Sequence, residues 1–341
     1  MKQFQLFLVF VISCFSCNSQ HQKINGVSFV ASRDSITSAH TRPVLEVQSN
    51  YVALMPFGFI RELTSPKIIH NTSRQWFGET QKGVLQYAQK FQEAKVEVMV
   101  KPQIWVRGGL FTGNIKMVSE EHWIILENSY RDFILSYART AQELRAVIFC
   151  IGTELEYFVK NRPTYWSKLI KEIRAIYTGK LTYAANWNEF SQVSFWEELD
   201  YVGIDAYFPL TKEKSPSISD YEKGWKPHKK AILELQQQVG KPVLFTEFGY
   251  RSVDYAGSNP WDSKRIERGV NHEAQTNGLE SVYNQFWNED WFAGGFIWKW
   301  FHDHEGAGGD KDNRFTPQNK PAEELIKKIY KKRFKIQKTK F

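Results

Sequence analysis

The chain has 341 residues, 42% of them hydrophobic and 24% charged, a globular composition that excludes a disordered or fibrous chain and is large enough for one sizeable α/β domain. The formal charge of +8 is concentrated at one end: Ile326 to Phe341, IKKIYKKRFKIQKTKF, holds seven Lys and one Arg and no acid, and setting those eight aside leaves 37 basic against 37 acidic residues. The body is therefore balanced, which excludes a nucleic-acid-binding surface as the basis of function and leaves the tail as a solvated, partly helical terminus.

The first segment, MKQFQLFLVFVISCFSCNSQ, has one Lys and then an apolar run from Phe4 to Ile12, too short to span a bilayer, followed by small residues and two cysteines. It reads as an export signal over residues 1–17. VISC and FSCN resemble a bacterial lipoprotein signal, with Cys17 or Cys14 as the acylated residue and a polar tether over 18–25. This places the protein in the cell envelope and gives it contact with a membrane through a lipid anchor alone. Beyond that segment only Cys150 remains, so neither a disulfide framework nor a cysteine-rich metal site is available.

Eight apolar runs follow, with helical patterns between them: GVSFVAS from Gly26, YVALMPFGFI from Tyr51, VEVMVKPQIWV from Val96, AVIFCIGTELE from Ala146, KLTYAANW from Lys180, YVGIDAYFPL from Tyr201, PVLFTEFGY from Pro242 and GGFIWKWF from Gly294. Eight strands buried on both faces and separated by helices predict an α/β fold, a single-domain (β/α)8 TIM barrel over residues 26–332, with a basic tail over 333–341. Between them, Thr80 is placed to cap a helix carrying Val84, Tyr87, Ala88 and Phe91. Pro163 suits the first turn of the next, and Gly240 ends another just before Pro242.

In such barrels the chemistry gathers at the carboxy-terminal ends of the strands. The fourth run ends on Glu154 and Glu156, the sixth on Asp205 and Tyr207, and the seventh on Glu247. A carboxylate is costly to place at the end of a buried strand unless it is paired or does chemistry. Glu154 and Glu247, from the fourth and seventh strands, would face each other across the barrel mouth. Two carboxyl groups in unlike environments are what glycoside hydrolysis requires: one stays protonated to serve the leaving oxygen while the other stays ionised at the anomeric carbon. Burial and the neighbouring carboxylate would raise Glu154, and Tyr207 would donate to Glu247.

The 12 tryptophans bear on the same question, because pyranose faces stack on flat rings. Trp76, Trp105, Trp187 and Trp298 fall at or beyond strand ends and, with Asn186, are expected to line the cleft, Trp298 as its floor. Trp123, Trp166, Trp196 and Trp287 sit in helical patterns and are expected in the core. Lys101 and Gln103 alternate inward on the third strand with capacity to bind hydroxyls, and Lys101 has the alternative of a buried ion pair. The run HDHE at His302–Glu305 lacks a partner cluster at ligand spacing, so it reads as a polar loop and the chemistry calls for no metal and no cofactor.

The strand-four Glu of IGTELE, the strand-seven Glu of TEFGY and the tryptophan of FIWKW resemble the clan A (β/α)8 glycosidases. SRQWFGET, KPQIWV, IDAYFPL and the ending WKWF…GAGGDKDNRFTPQNKPAE resemble glycoside hydrolase family 113 in particular. The resemblance implies a retaining, cofactor-free β-mannanase on an oligo- or polysaccharide, with Glu154 the acid/base, Glu247 the nucleophile and Tyr207 its hydrogen-bond partner. It departs from many clan A enzymes at Thr153, where Asn usually precedes the acid/base and holds the sugar 2-hydroxyl. A monomer is expected. The alternatives are a non-catalytic glycan-binding barrel, or a clan A glycosidase acting on another β-glycan.

Overall fold

The computed structural model describes residues 22–264 and 269–338, so the cysteines read as lipidation sites lie outside the described residues. The described residues form ten strands: β1 (Ile24–Phe29), β2 (Tyr51–Leu54), β3 (Phe57–Ile60), β4 (Glu97–Val100), β5 (Gln103–Val106), β6 (Ile148–Thr153), β7 (Lys180–Asn186), β8 (Val202–Asp205), β9 (Val243–Phe248) and β10 (Phe292–Trp300). Eight of them close into a parallel barrel in the order β1-β2-β4-β6-β7-β8-β9-β10, the (β/α)8 architecture expected from the sequence. The helices are α1 (Ser38–Glu46), α2 (Gln81–Glu93), α3 (Glu120–Glu143), α4 (Glu156–Asn161), α5 (Pro163–Arg174), α6 (Ile218–Val239), α7 (His272–Phe286) and α8 (Pro321–Lys338). The barrel's first strand begins inside the stretch read as tether, and α8 continues beyond residue 332 into the basic tail. Among the described residues no helix is long and apolar enough to cross a membrane.

Two of the eight apolar runs each make two strands rather than one. The second run divides at Pro56 and the third at Pro102, because proline has no N–H to give to a ladder. The chain leaves the barrel there without breaking the pairing: Lys101 N donates to Leu54 O at 2.8 Å and Gln103 N to Pro56 O at 2.9 Å. β3 and β5 then pair as a separate two-stranded parallel sheet standing above the barrel rim.

Two apolar layers hold the fold. Ile24, Ala53, Met99, Ile148, Leu244 and Phe296 come from six different barrel strands yet touch one another, which is possible only inside the barrel. A side chain at Gly26 would place its Cβ 2.4 Å from the Phe296 ring, so glycine is required for the plug to fit. The outer layer joins the strand exteriors to the helices, and Trp166, Trp196 and Trp287 are fully buried in it, with Trp123 at 9% exposure, as their helical spacing predicted. The helix punctuation also holds: Thr80 Oγ1 accepts from Gly83 N, Pro163 opens α5, and Gly240 ends α6 with φ at +71°.

Candidate active site

Strand alternation alone would put Thr246 inward and Glu247 outward. The β8–β9 register instead steps from Ile204↔Phe245 to Asp205↔Glu247, skipping Thr246, so two consecutive residues of β9 face inward. Thr246 Oγ1 donates to Asp205 Oδ1 at 2.7 Å, and Glu247 meets Lys101, Gln103 and Tyr207. A similar step in β6, from Cys150↔Thr182 to Thr153↔Ala184, precedes Glu154, which adopts a left-handed φ of +51°. That conformation is uncommon for a residue other than Gly, Asn or Asp, and strain of this kind collects at functional sites. It is held by Glu154 N donating to Ala184 O at 2.8 Å and Thr112 Oγ1 donating to Glu154 O at 3.1 Å.

Around Glu247 the polar partners are complete. Its Oε1 accepts from Lys101 Nζ and, at 2.9 Å, from Gln103 Nε2, while Oε2 accepts from Tyr207 O–H at 2.9 Å. Lys101 Nζ also donates to both oxygens of Asp205, at 3.1 and 3.2 Å. Burial alone would lower the Lys101 ammonium, but Asp205 and Glu247 together hold it above its ordinary value. Lys101 exposes none of its surface, so it takes the ion-pair role and does not bind a hydroxyl: its three hydrogens are committed to carboxylates. Asp205 is pushed up to about 7, first by burial and then by Glu247.

Glu154 is different in kind. It is half-buried, and among the described residues no side chain donates to its carboxylate. Desolvation by the surrounding protein, followed by Asp205 and Glu247, raises it well above the usual carboxylate range. The proton is therefore held more tightly on Glu154 than on an ordinary carboxylate, beside an ion-paired Glu247. Tyr207 is likewise raised well above its ordinary value, by burial and then by Glu247, so it remains a donor.

The other expected residues divide by burial. Trp76 and Trp105 are 44% and 49% exposed, with the Arg33 guanidinium 5.4 Å from the Trp76 ring. Trp298 is half-buried at the end of β10, its peptide to Lys299 is cis, and the Lys299 ammonium lies 5.1 Å from its ring. Trp187 stacks on Trp261 at 5.3 Å between ring centroids, and Asn186 Oδ1 accepts from Trp187 N at 2.7 Å. Thr153 is 8% exposed, and its hydroxyl donates to Pro102 O at 3.5 Å. In the HDHE run, His304 stacks on Trp300 and lies 3.6 Å from Glu323, whereas His302 packs against His40. Among the described residues no group of three or more His, Cys, Asp or Glu side chains is arranged to hold a metal.

Sequence reasoning missed three contributors. Asp205 was visible as a strand-end acid but had no assigned partner, because Lys101 is 104 residues away. Glu189, 1% exposed and raised to about 8 chiefly by burial, accepts from Tyr183 O–H at 2.8 Å. That phenol in turn accepts from Leu155 N at 2.7 Å and so braces the turn carrying Glu154. Trp261 lies in the long connection after β9, and its only signal was an aromatic among loop residues.

Comparisons with known proteins agree with this architecture. A family profile described as Glycoside Hydrolase Family 113 matches residues 29–320. Among solved structures, a family 113 β-mannanase from Alicyclobacillus acidocaldarius in complex with ManMIm superposes with a TM-score of 0.80 at 24% identity, covering 92% of this chain and 98% of that one. A second family 113 β-1,4-mannanase gives 0.77 at 20% identity, covering 91% and 99%. A Faecalibacterium prausnitzii β-glucuronidase gives 0.61 at 13% identity, covering 91% of this chain and 49% of its own. A comparison with curated proteins finds no match. A profile spanning most of the chain, over a closed parallel barrel with two glutamates in unlike surroundings at its strand ends, places this glycoside hydrolase in family 113.

Proposed function

We propose that the protein hydrolyses β-1,4-mannosidic linkages with retention of anomeric configuration, using Glu247 as nucleophile and Glu154 as acid/base. The observation that carries this reading is the contrast between the two glutamates: Glu247 accepts from Lys101, Gln103 and Tyr207, while Glu154 is raised well above its ordinary range. In the first step a Glu247 oxygen bonds to the anomeric carbon as the glycosidic C–O bond breaks, and the Glu154 proton passes to the leaving oxygen. In the second, water attacks the same carbon, its proton returns to Glu154, and Glu247 departs as carboxylate. Tyr207 and Gln103 position Glu247, and Asp205 holds Lys101 beneath it. The preference for mannosides rests on family membership and on the β-mannanase likeness of the neighbouring structures.

Reducing-end release from mannan, glucomannan, cellulose, xylan and manno-oligosaccharides tests substrate and activity together. The reading requires mannan or manno-oligosaccharides to be cleaved fastest, with the first product β by proton NMR. Activity confined to xylan or cellulose refutes the mannosidic assignment, and no activity on any glycan favours a binding barrel.

The leading segment supports a further proposal, that the protein is an exported lipoprotein of the cell envelope acylated at Cys17 or Cys14. Mass spectrometry of the mature N-terminus decides it: an unmodified terminus beyond Cys17 refutes lipidation.

A further inference from the structure

A glutamate in the left-handed region keeps that backbone only if its surroundings impose it, and the peptides on both sides of Glu154 are held from outside. On the amino side, Glu154 N donates to Ala184 O. On the carboxyl side, Thr112 Oγ1 donates to Glu154 O, while Leu155 N donates to Tyr183 Oη at 2.7 Å. Peptides are planar, so pinning both planes fixes φ and ψ of Glu154 and with them the direction of its Cα–Cβ bond. Thr112 belongs to a half-exposed turn, whereas Tyr183 stands on β7, wholly buried against Trp166, Phe195 and Trp196 with ring centroids 5.7 to 6.1 Å apart. The Tyr183 hydroxyl is oriented in turn by Glu189, whose Oε1 accepts its proton at 2.8 Å. Glu189 Oε2 accepts from Asn186 N at 3.2 Å, and Glu189 N donates to Asn186 O at 2.9 Å. Glu189 is buried, and among the described residues no cation pairs with it. Burying a carboxyl that nothing neutralises costs stability, and packing alone gives no reason for it. Two acceptor oxygens do: glutamine offers one, and would serve Tyr183 or Asn186 but not both.

We propose that Tyr183 and Glu189 are positioning residues for the reaction: through Leu155 N they hold the Glu154 backbone so that its carboxyl meets the leaving oxygen, and through Asn186 they tie that direction to the end of β7. The proposal rests on the glycosidase reading above and deepens it, because neither side chain touches the reacting atoms and both act through the turn that carries the acid/base. Proton transfer is sensitive to the distance and angle of the donor, so a small release of this turn weakens protonation of the leaving group before it weakens anything else.

The test uses kcat/KM, which reports the first bond-breaking step, for mannohexaose, whose leaving sugar needs a proton, and for an activated aryl β-mannoside, whose leaving group needs none. In Tyr183→Phe and in Glu189→Gln the hexaose value should fall by about tenfold while the aryl value stays within about twofold of wild type. The ratio of the two is independent of the folded fraction, so a variant that folds poorly still reports. Because the residues act in series, Tyr183→Phe combined with Glu189→Gln should fall no further than the larger single loss. An equal fall on both substrates marks a strut that only supports the fold and overturns the proposal, as does an unchanged hexaose value or an additive fall in the double variant. If the wild type cleaves another β-glycan instead, the mannosidic assignment alone fails and the same ratio on that sugar decides the positioning role. If it cleaves none, the glycosidase reading falls and this proposal with it.

Discussion

Replacing Lys101 by Met removes a cation that two buried carboxylates share. The ammonium lies 3.1 and 3.2 Å from the Asp205 oxygens and also bonds Glu247, with Lys101 and Asp205 each wholly buried. Methionine fills nearly the same volume, so the cost is electrostatic rather than steric. Taking one partner from a buried pair typically costs about 3–5 kcal/mol because the charge left behind is uncompensated. At about 2–4 °C per kcal/mol for a domain of this size, the melting temperature should drop by roughly 6–20 °C. The drop should depend on pH, with a definite sign. Asp205 is already raised to about 7 in the folded protein, far above its ordinary value, so folding favours its protonated form and stability falls as pH rises toward and through that value. Without Lys101 the folded value of Asp205 moves higher still, and the added loss grows as pH climbs past 7. Calorimetry of the variant and wild type at pH 6 and pH 9 should therefore show the larger difference at pH 9. Lys101→Met combined with Asp205→Asn should recover part of it. Equal differences at both pH values, or a loss under about 1 kcal/mol, would refute the shared-cation account.

Glu154 must be protonated to serve the leaving group, and its raised position means that the alkaline decline of kcat/KM should lie above the ordinary carboxylate range, activity being lost as pH rises through the folded value. In Glu154→Ala that alkaline limb should vanish for an activated aryl glycoside, and azide should accelerate turnover; azide rescue of Glu156→Ala instead would move the acid/base to Glu156. Glu247→Ala should be inactive in the absence of an added nucleophile. Tyr207→Phe removes the 2.9 Å bond to Glu247 and should lower kcat by about 10- to 100-fold, with a stability change near 1 kcal/mol; steady-state kinetics showing unchanged kcat would remove Tyr207 from the positioning set. Gly26→Ala drives a methyl against Phe296 inside the barrel and should destabilise by about 1–3 kcal/mol in urea titration, with kcat preserved in the folded fraction.

Periodicity and punctuation were enough to read the barrel. The apolar runs that lie on both faces of a parallel sheet, the Thr80 cap, Pro163 and the left-handed Gly240 are local features, decided by residues within a turn or two of one another. The strand-end glutamates were legible for the same reason: a charge closing an apolar run is conspicuous in one dimension. What the glutamates do to each other was not. Lys101 reaches Asp205 across 104 positions and Glu247 across 146, and no sequence pattern records which of its two possible roles it takes. The inward turn of Glu247 depends on a skipped residue in the β8–β9 register, which defeats strand alternation and is set by the neighbouring strand rather than by β9 itself. The division of two runs at Pro56 and Pro102 was written in the sequence as two prolines, yet only the closed barrel makes their consequence visible: eight strands complete the ring, and the surplus length has nowhere to go but above the rim. Sequence thus determined the elements and their carboxylates, whereas the tertiary structure decided which side chains share a cation, which proton is retained and where the aromatic faces point, because each of those depends on closing a ring whose members are far apart along the chain.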